Sequence, residues 1–195
     1  MGLPRRVFPI LTAASLLTGC HLLPPWPDSQ AAATAAAEPE PPRSRAEAVF
    51  SPEVDPEALV LRVIAGAQQS IRLAGHTFTS PAMVRALLVA KRRGVDVRVL
   101  LDDRSNRGPR SIAAMNQLAR AGIPVRVVSN YAVHHDRYLV VDERHLQTGS
   151  LPYGKLTSRP TSDNALVIWD DPELAKQYLA HWDARWRRGI LVEAR

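Results

Sequence analysis

The segment IRLAGHTFTSPAMVRALLVAKRRGVDVRVLL, residues 71–101, decides the fold class. Residues 71–78 predict a strand, and Pro81 then begins a segment whose apolar residues recur at helical spacing until Gly94. Residues 95–101 predict a second strand that is almost continuously apolar on one side. A strand, a helix and a strand in succession indicate a sheet with helices packed against it.

The same alternation extends to both sides of this segment. Further helices are predicted at 56–69, 111–121 and 172–188, and further strands at 123–128, 138–141, 145–148 and 165–169. Tyr178, Trp182 and Trp186 fall four residues apart on one face of the last helix, a spacing typical of core packing rather than of a base-stacking platform. The pattern therefore predicts an α/β fold in which helices cover both faces of one sheet.

Length and composition bound the remaining possibilities. The chain has 195 residues, of which 46% are hydrophobic and 23% charged, enough for one domain with a core plus a tail. This composition excludes a collagen-like, coiled-coil or wholly disordered protein. The single cysteine excludes an internal disulfide framework and a cysteine-based zinc cluster. Residues 46–195 carry 21 basic and 16 acidic side chains, a balance that suits a polyanionic partner.

The first 45 residues predict a targeting signal followed by a spacer. Residues 1–19 combine two arginines with a short apolar run, as in a secretory signal peptide, and Leu-Thr-Gly-Cys at 17–20 resembles the bacterial lipobox. We therefore expect lipidation of Cys20 and anchoring in the cell envelope, facing the periplasm, with the outer membrane favoured. The alternative is an apolar tail with a chance cysteine. Residues 20–45, rich in proline and alanine, predict a tether, and residues 46–195 predict the folded domain.

The residues that carry chemistry lie in VHHDRYLVVDERHLQTGSLPYGKLTSRPTSDNALVI, residues 133–168. His135 and Arg137 are two residues apart, which on a strand places both side chains on the same face. An imidazole can attack phosphorus or carry a proton near neutral pH, and an adjacent guanidinium can hold the phosphate oxygens. Ser150 can donate a hydroxyl to the same oxygens, and Asp163 can accept a hydrogen bond from the imidazole and fix its tautomer. Together these side chains describe phosphodiester cleavage through a covalent phosphohistidine.

The whole series of motifs resembles a known family. In order along the chain, AKRRGVDVRVLLDDRSN, SIAAMNQLARAGIPVR, HDRYLVVD, TGS, SDNALVIW and HWDARW resemble the phospholipase D superfamily, whose motif is HxKxxxxD followed by GSxN. The resemblance covers roughly residues 51–187 and is greatest to the short, single-motif bacterial endonucleases of the Nuc type. It implies a mixed β-sheet flanked by helices on both faces, an α/β/α sandwich, and a phosphodiesterase that needs neither metal nor cofactor.

The resemblance also implies roles for individual residues. His135 matches the nucleophilic histidine, and Arg137 stands where the family has a phosphate-binding lysine. Asp142 matches the motif aspartate, which serves the local architecture more than the chemistry. Ser150 matches the phosphate-contacting serine, and Asp163 stands where a glutamate supports the histidine.

Two departures from the family pattern bear on activity. Arg137 keeps the charge of the lysine, but its guanidinium is a planar fork rather than a point ammonium. The low lysine content of the chain explains this replacement as well as a loss of function does. Pro152 stands where the family has an asparagine, and it offers the phosphate site neither a polar side chain nor a backbone N–H. The retained nucleophile and aspartate favour an active enzyme, and the alternative is a weakly active or degenerate one.

A single motif per chain sets a requirement on assembly. In-line displacement needs a nucleophile on one side of phosphorus and a general acid at the leaving oxygen, and one histidine cannot occupy both places. We therefore expect a homodimer with one composite active site. His135 of one subunit would attack, and His135 of the partner subunit would protonate the leaving group.

Three functions remain open. The leading one is a membrane-tethered, metal-independent endonuclease. The candidates to contact its phosphates follow a predicted strand and are Arg104, Arg107 and Arg110. The alternative is that these arginines only form a solvated surface. The second is a phospholipase D that hydrolyses phospholipid head groups. The third is a non-catalytic module that binds phosphate or nucleic acid. His76 and His181 are interpreted as structural or surface histidines.

Overall fold

The computed structural model describes residues 45–154 and 161–194. The predicted signal peptide, Cys20 and the predicted tether up to residue 44 lie outside the described residues. The strands are β1 (Arg45–Phe50), β2 (Ser70–Gly75), β3 (Asp96–Asp102), β4 (Val125–Val128), β5 (Tyr138–Val141), β6 (His145–Gly149), β7 (Asn164–Trp169) and β8 (Ile190–Leu191). The helices are α1 (Pro56–Gly66), α2 (Pro81–Arg92), α3 (Pro109–Arg120) and α4 (Pro172–Trp186), and a short 3₁₀ turn spans Arg104–Asn106.

The described strands form one mixed sheet in the order β1-β7-β6-β5-β2-β3-β4-β8. β2, β3 and β4 run parallel, with Leu73 opposite Val99 and Val99 opposite Val125. The other neighbours pair antiparallel, and the central antiparallel pair sets Leu73 of β2 opposite Leu139 of β5. The parallel strands are joined through α2 and α3, because parallel neighbours require a crossover connection.

Alternation along the strands sends side chains into two cores, one on each face of the sheet. On β2, Leu73 joins the core under α1, α2 and α3, whereas Ala74 joins a smaller core under α4. Trp182 of α4 is fully buried in the smaller core, and its indole N–H donates to the Leu73 carbonyl over 2.9 Å. Tyr178 and Trp186 pack against the same core. The predicted sandwich with helices on both faces is therefore confirmed, and the aromatic stripe is core.

Each of the four described helices begins with a proline. The fixed φ of proline suits the first turn, and its missing N–H costs nothing there. Asp55, Ser80 and Asp171, just before α1, α2 and α4, each accept a hydrogen bond from a backbone N–H of the first turn. These local signals explain why the starts of those three helices are predicted well, whereas α3 begins at Pro109, two residues before the predicted start.

The two edge strands are missing from the sequence prediction. β1 pairs with β7 at one edge of the sheet and β8 pairs with β4 at the other, and the side chains of both are mostly exposed. An edge strand of this kind packs little apolar surface, so its sequence lacks the alternation of a half-buried strand.

The predicted strand 71–78 is wrong in its last three residues, because β2 ends earlier. Asn106 takes the place of a strand partner there. Its amide nitrogen donates to the His76 carbonyl over 2.6 Å, and its amide oxygen accepts from the Phe78 N–H over 2.9 Å. The same nitrogen donates to the Asp102 carbonyl over 2.7 Å, and the side chain is buried. One buried amide thus holds the chain where β2 and β3 end.

The carboxylate of Asp142 joins the other end of β2 to the turn after β5. Its Oδ1 accepts the N–H groups of Gln69 and Ser70 over 2.7 and 2.9 Å, and its Oδ2 accepts the N–H of Gln68 over 2.9 Å. Burial raises the pKa of Asp142, but these N–H groups outweigh it and hold the pKa below its usual value. The predicted helix 56–69 ends early, and Asp142 supplies Gln68 and Gln69 with the acceptors that a longer helix would have provided.

We expect Asp142→Asn to lower the free energy of unfolding by about 1–3 kcal/mol. The amide oxygen can still accept the N–H groups of Gln69 and Ser70, but the amide nitrogen is a donor and cannot accept the N–H of Gln68. Asparagine tolerates the φ of 52° at this position, so backbone strain does not confound the result. Glu143→Gln removes a charge from the next residue, which is exposed and has a φ of 57°, and is the matched control. Urea unfolding followed by circular dichroism compares the two variants, and equal stability would contradict the role of the carboxylate.

Candidate active site

Five strand ends meet at one edge of the sheet and bring most of the predicted site together. β2 and β3 are parallel and β5 runs antiparallel to β2, so the start of β5 lies beside the ends of β2 and β3. The end of β6 and the start of β7 reach the same edge, the active-site edge. His135 and Arg137 precede β5, Ser150 follows β6 and Asp163 precedes β7. Four of the five predicted catalytic residues therefore lie at this edge.

Asp142 lies at the other ends of the strands, away from the active-site edge. It follows β5, and the four residues of that strand separate it from Arg137, a distance of about 16 Å over five residue steps. Its carboxylate binds the backbone before β2 and not the groups around His135. This position removes Asp142 from the reacting groups and supports the architectural role that the family resemblance implies.

The predicted reacting pair is His135 and Arg137, whose side chains lie together. His135 is exposed, and Arg137 Nη2 lies 3.1 Å from its Nε2. A guanidinium only donates hydrogen bonds, so Nε2 is the acceptor here and holds its lone pair toward the cation. The proton of the neutral ring is then on Nδ1. Among the described residues the buried Arg137 Nε has no acceptor, so the fork retains donor capacity for an anion.

Ser150 and Asp163 bind each other rather than His135. The Ser150 hydroxyl donates to Asp163 Oδ1 over 3.0 Å and accepts from the Asn164 N–H over 3.0 Å. The predicted hydrogen bond between Asp163 and the His135 imidazole is absent from the part of the chain that the structure describes, where the ring bonds to Arg137 instead. The short side chain of Asp163 reaches the nearer hydroxyl, so any support of the imidazole stays a prediction.

A cleft of about 450 Å³ opens beside His135, between the start of β5, the end of β6 and one side of α4. His181 of α4 lines this cleft, and its Nδ1 lies 2.9 Å from the Tyr138 hydroxyl. Burial raises the pKa of Tyr138 well above its usual value, so the hydroxyl keeps its proton beside the His181 ring. Asp136 also lines the cleft, with a carboxylate oxygen 3.8 Å from His181 Nε2. The site therefore has an enclosed side toward α4.

His76 and Ser105 also belong to the site, although no sequence motif marks them. The ring of His76 meets the ring of His135 edge to face, with centroids 4.7 Å apart, and Ser105 Oγ lies 2.7 Å from His76 Nε2. Both residues follow the carboxyl ends of parallel strands, where α/β sheets place their ligands, and this position is the signal that points to them. His76 and His181, interpreted from the sequence as structural or surface residues, thus lie beside His135.

The buried carboxylate of Asp102 joins the turn after β3 to the segment that carries His135. Its Oδ1 accepts the His134 N–H over 2.8 Å, and its Oδ2 accepts the Ser105 N–H over 2.7 Å. Burial raises the pKa of Asp102, but the N–H groups of His134 and Ser105 outweigh it and hold the pKa below its usual value. The carboxylate stays ionised at neutral pH, and it keeps both segments at the active-site edge.

Arg104 and Arg107 lie on the loop that carries Ser105, and Arg110 is the second residue of α3. All three side chains are exposed, and Arg107 also forms an ion pair with Asp103 over 2.6 Å. Their segment therefore borders the site as predicted from its position, and contacts with phosphate stay a prediction for all three.

Within residues 45–154 and 161–194, no helix combines the length and the apolar character needed to cross a membrane. The same residues hold no group of three or more histidine, cysteine, aspartate or glutamate side chains arranged to bind a metal ion.

Gly149 allows β6 and β7 to approach closely just before Ser150. A Cβ at this position would lie 2.3 Å from the backbone oxygen of Asn164, and the φ of Gly149 is 154°. A backbone atom cannot move aside as the end of a flexible side chain can. The place of the Ser150 hydroxyl therefore depends on glycine at 149.

We expect Gly149→Ala to lower the free energy of unfolding by about 1–3 kcal/mol, since the added methyl group forces the two strands apart. Gly66→Ala is the control, because no atom lies within 4 Å of a Cβ added at the end of α1. That variant should be as stable as the wild type or more stable by up to about 1 kcal/mol. Urea unfolding measures both, and an undiminished stability of Gly149→Ala would show that the strands can give way.

Comparison with known proteins identifies the family. A family model described as cardiolipin synthase, PLD-like domain, matches residues 60–186. The crystal structure of Nuc, a phospholipase D family member from Salmonella typhimurium, is similar at 42% sequence identity and a TM-score of 0.75, over 77% of this chain and 99% of that one. A phospholipase D from Rickettsia bellii (strain RML369-C) is 30% identical over 146 residues, which are 75% of this chain and 71% of its own length. A mitochondrial cardiolipin hydrolase from Xenopus laevis is 35% identical over 121 residues, 62% of this chain and 56% of its own length. With the family model spanning most of the domain built around His135, the chain belongs to the phospholipase D superfamily.

Proposed function

We propose that the domain is a phosphodiester hydrolase of the endonuclease type, which cuts nucleic acid without a metal ion through a phosphohistidine on His135. The observation that carries this proposal is the exposed His135 with its Nε2 lone pair 3.1 Å from Arg137 Nη2. A neutral imidazole beside a cation can attack a phosphodiester that the cation holds. The similarity to Nuc over almost the whole length of that chain supports the nuclease among the members of the family.

In the proposed mechanism, substrate binding turns the guanidinium of Arg137 from the ring to the phosphate. Its donors and the hydroxyl of Ser150, which turns from Asp163 to the substrate, bind the non-bridging oxygens, and this frees the Nε2 lone pair of His135 to attack phosphorus. The P–N bond forms as the bond to the leaving oxygen breaks, and that oxygen takes the Nε2 proton of His135 of the partner subunit, which enters this step as an imidazolium. Water then attacks phosphorus and gives its proton to the second histidine while the P–N bond breaks, which restores both imidazoles.

Positive charge around the site supports a polyanionic substrate. Residues 46–195 carry 21 basic and 16 acidic side chains. The loop after β3 contributes Arg104 and Arg107, and the start of α3 contributes Arg110. In the segment that leads to His135, the hydroxyl of Tyr131 accepts a hydrogen bond from Arg188 over 3.1 Å, which brings a further cation to this region. Such side chains bind the phosphates of a nucleic acid without reading its sequence.

A phospholipase D that hydrolyses phospholipid head groups is the second candidate. Its support is that two of the similar proteins are a phospholipase D and a mitochondrial cardiolipin hydrolase. The lipid anchor that we propose at Cys20 would hold the domain at the periplasmic face of the envelope, beside phospholipid but away from the chromosome. Pro152 in place of the family's asparagine supports a third outcome, a module that binds phosphate without turnover.

We expect the full-length protein to cleave plasmid DNA in the presence of a chelator. The His135→Ala variant should be at least about 10³-fold less active, because the proposed nucleophile is gone. His145→Ala is the matched control, since that half-buried histidine packs on Trp169 and not on the site. Phosphatidylcholine vesicles and a chromogenic phosphodiester complete the substrate panel. Lipid turnover without DNA cleavage would support the second candidate, and no turnover of any substrate would leave the binding module.

We propose that the active site is shared between two subunits, and subunit mixing tests this directly. After exchange with an excess of His135→Ala subunits, wild-type activity should fall below the value expected from dilution, because a mixed dimer lacks either the nucleophile or the acid. Mixing with His145→Ala subunits should leave the activity per wild-type subunit unchanged. A loss strictly proportional to dilution in the first mixture would contradict the shared site.

A further inference from the structure

The ring of His76 lies against the ring of His135, a contact that the proposed mechanism does not use. The centroids are 4.7 Å apart and the planes are inclined by 66°, so the edge of one ring meets the face of the other. Among the described residues, the exposed His135 ring has one hydrogen bond, to Arg137. A single hydrogen bond leaves an imidazole free to turn about its χ2 torsion, and the contact with His76 limits that rotation.

His76 is held from two directions. Its carbonyl accepts from the buried Asn106 amide over 2.6 Å, and its Nε2 lies 2.7 Å from Ser105 Oγ. The Ser105 N–H in turn donates to the buried Asp102 carboxylate over 2.7 Å. A continuous series of contacts therefore runs from the interior of the sheet through Ser105 and His76 to His135.

The charge of His76 suits a packing role. Burial lowers the pKa of His76, the charge of His135 when that ring is protonated and the cation of Arg137 lower it further, and the Asp102 carboxylate opposes them. The ring is thus neutral at neutral pH. A neutral ring can lie against His135 in either protonation state of that residue without repulsion between like charges.

The same contact excludes His76 as the general acid within its own chain. In-line attack requires phosphorus to lie between the nucleophile and the acid. Two rings with centroids 4.7 Å apart are in van der Waals contact, so no phosphoryl group fits between them. His76 is therefore not the general acid opposite the His135 of its own chain, and the proposed mechanism keeps His135 of the partner subunit in that role.

We propose that His76, tethered by Ser105, is a positioning residue that sets the rotation of the His135 ring and presents Nε2, rather than Nδ1, to Arg137 and the substrate phosphate. The inference rests on the proposed function in one respect, that His135 is the nucleophile. The ring is oriented before substrate binds, and the contact does not involve the phosphate. Loss of His76 therefore lowers kcat and leaves KM almost unchanged.

The test uses full-length variants and a chromogenic phosphodiester. His76→Ala removes the ring, and we expect kcat to fall about 10–100-fold with KM within about twofold of wild type. His76→Phe keeps a flat ring against His135 without the hydrogen bond to Ser105, and it should recover kcat to within about fivefold of wild type. Ser105→Ala releases the His76 ring and should lie between these two. His145→Ala removes a half-buried histidine whose ring packs on Trp169 at 5.4 Å, and it should have the wild-type kcat.

A second measurement does not depend on turnover. Nitrogen-15 NMR of the histidine rings reports which nitrogen of His135 carries the proton. We expect the proton on Nδ1 in the wild type and in His76→Phe, and a mixture of both tautomers in His76→Ala. Thermal unfolding followed by circular dichroism establishes that each variant is folded.

The outcomes separate this inference from the proposed function. A wild-type protein without phosphodiesterase activity, in which His76→Ala still changes the His135 tautomer, would overturn the proposed function and leave the positioning intact. An active wild type with a folded His76→Ala of unchanged kcat and tautomer would overturn the inference. If His76→Ala does not fold, Ser105→Ala decides: unchanged kcat and tautomer overturn the inference, and a lower kcat at constant KM supports it.

Discussion

Two buried polar side chains, Asp102 and Asn106, hold the active-site edge together by binding the backbone where the parallel strands end. A strand that leaves a sheet loses its ladder partners, and each N–H or C=O group left buried and unpaired costs about 1–3 kcal/mol. Asn106 binds the chain that follows β2, and Asp102 binds the N–H groups of Ser105 and His134. The two side chains take the place of a neighbouring strand. The three segments that they join are the ones that carry His76, Ser105 and His135.

The motif of this family spans one strand, and its two ends serve different purposes. His135 and Arg137 precede β5 and Asp142 follows it, so the four residues between Arg137 and Asp142 are the whole strand. Asp142 binds backbone N–H groups just before β2 and thereby fixes β5 against β2 at the edge away from the chemistry. Because paired strands share one register along their whole length, this contact also fixes where His135 lies relative to His76.

The proton arrangement at the reacting pair follows from the chemistry of its cation. Arg137 and the lysine of the family are both pure donors, so either one can hold a neutral His135 with its Nε2 lone pair toward the cation and its proton on Nδ1. The replacement by arginine therefore preserves the tautomer that the proposed mechanism requires of the imidazole. The same pair suits a phosphodiester of nucleic acid and one of phospholipid. The choice between them depends on the surrounding surface, where the exposed Arg104 and Arg110 favour a polyanion.

Local patterns in the chain suffice for the fold class, the helices and the inner strands, because helical periodicity and N-terminal prolines act over short distances. They also indicate that His135 and Arg137 lie together, although both residues precede β5 and the predicted strand geometry does not apply to them. They miss β1 and β8, which bury too little surface to alternate. They also extend β2 too far, because Asn106, which ends that strand, lies 28 residues beyond Phe78. The local patterns do not predict the hydrogen bond between Ser150 and Asp163. They also do not predict the contact between Ser105 and His76, which are 29 positions apart. The hydrogen bonds of Asp142 to the backbone 72 to 74 positions earlier are likewise not predicted. Such contacts arise from the order and direction of the strands, which bring residues far apart in the sequence to one edge of the sheet. The residues next to each of them in the sequence carry no signal of that contact.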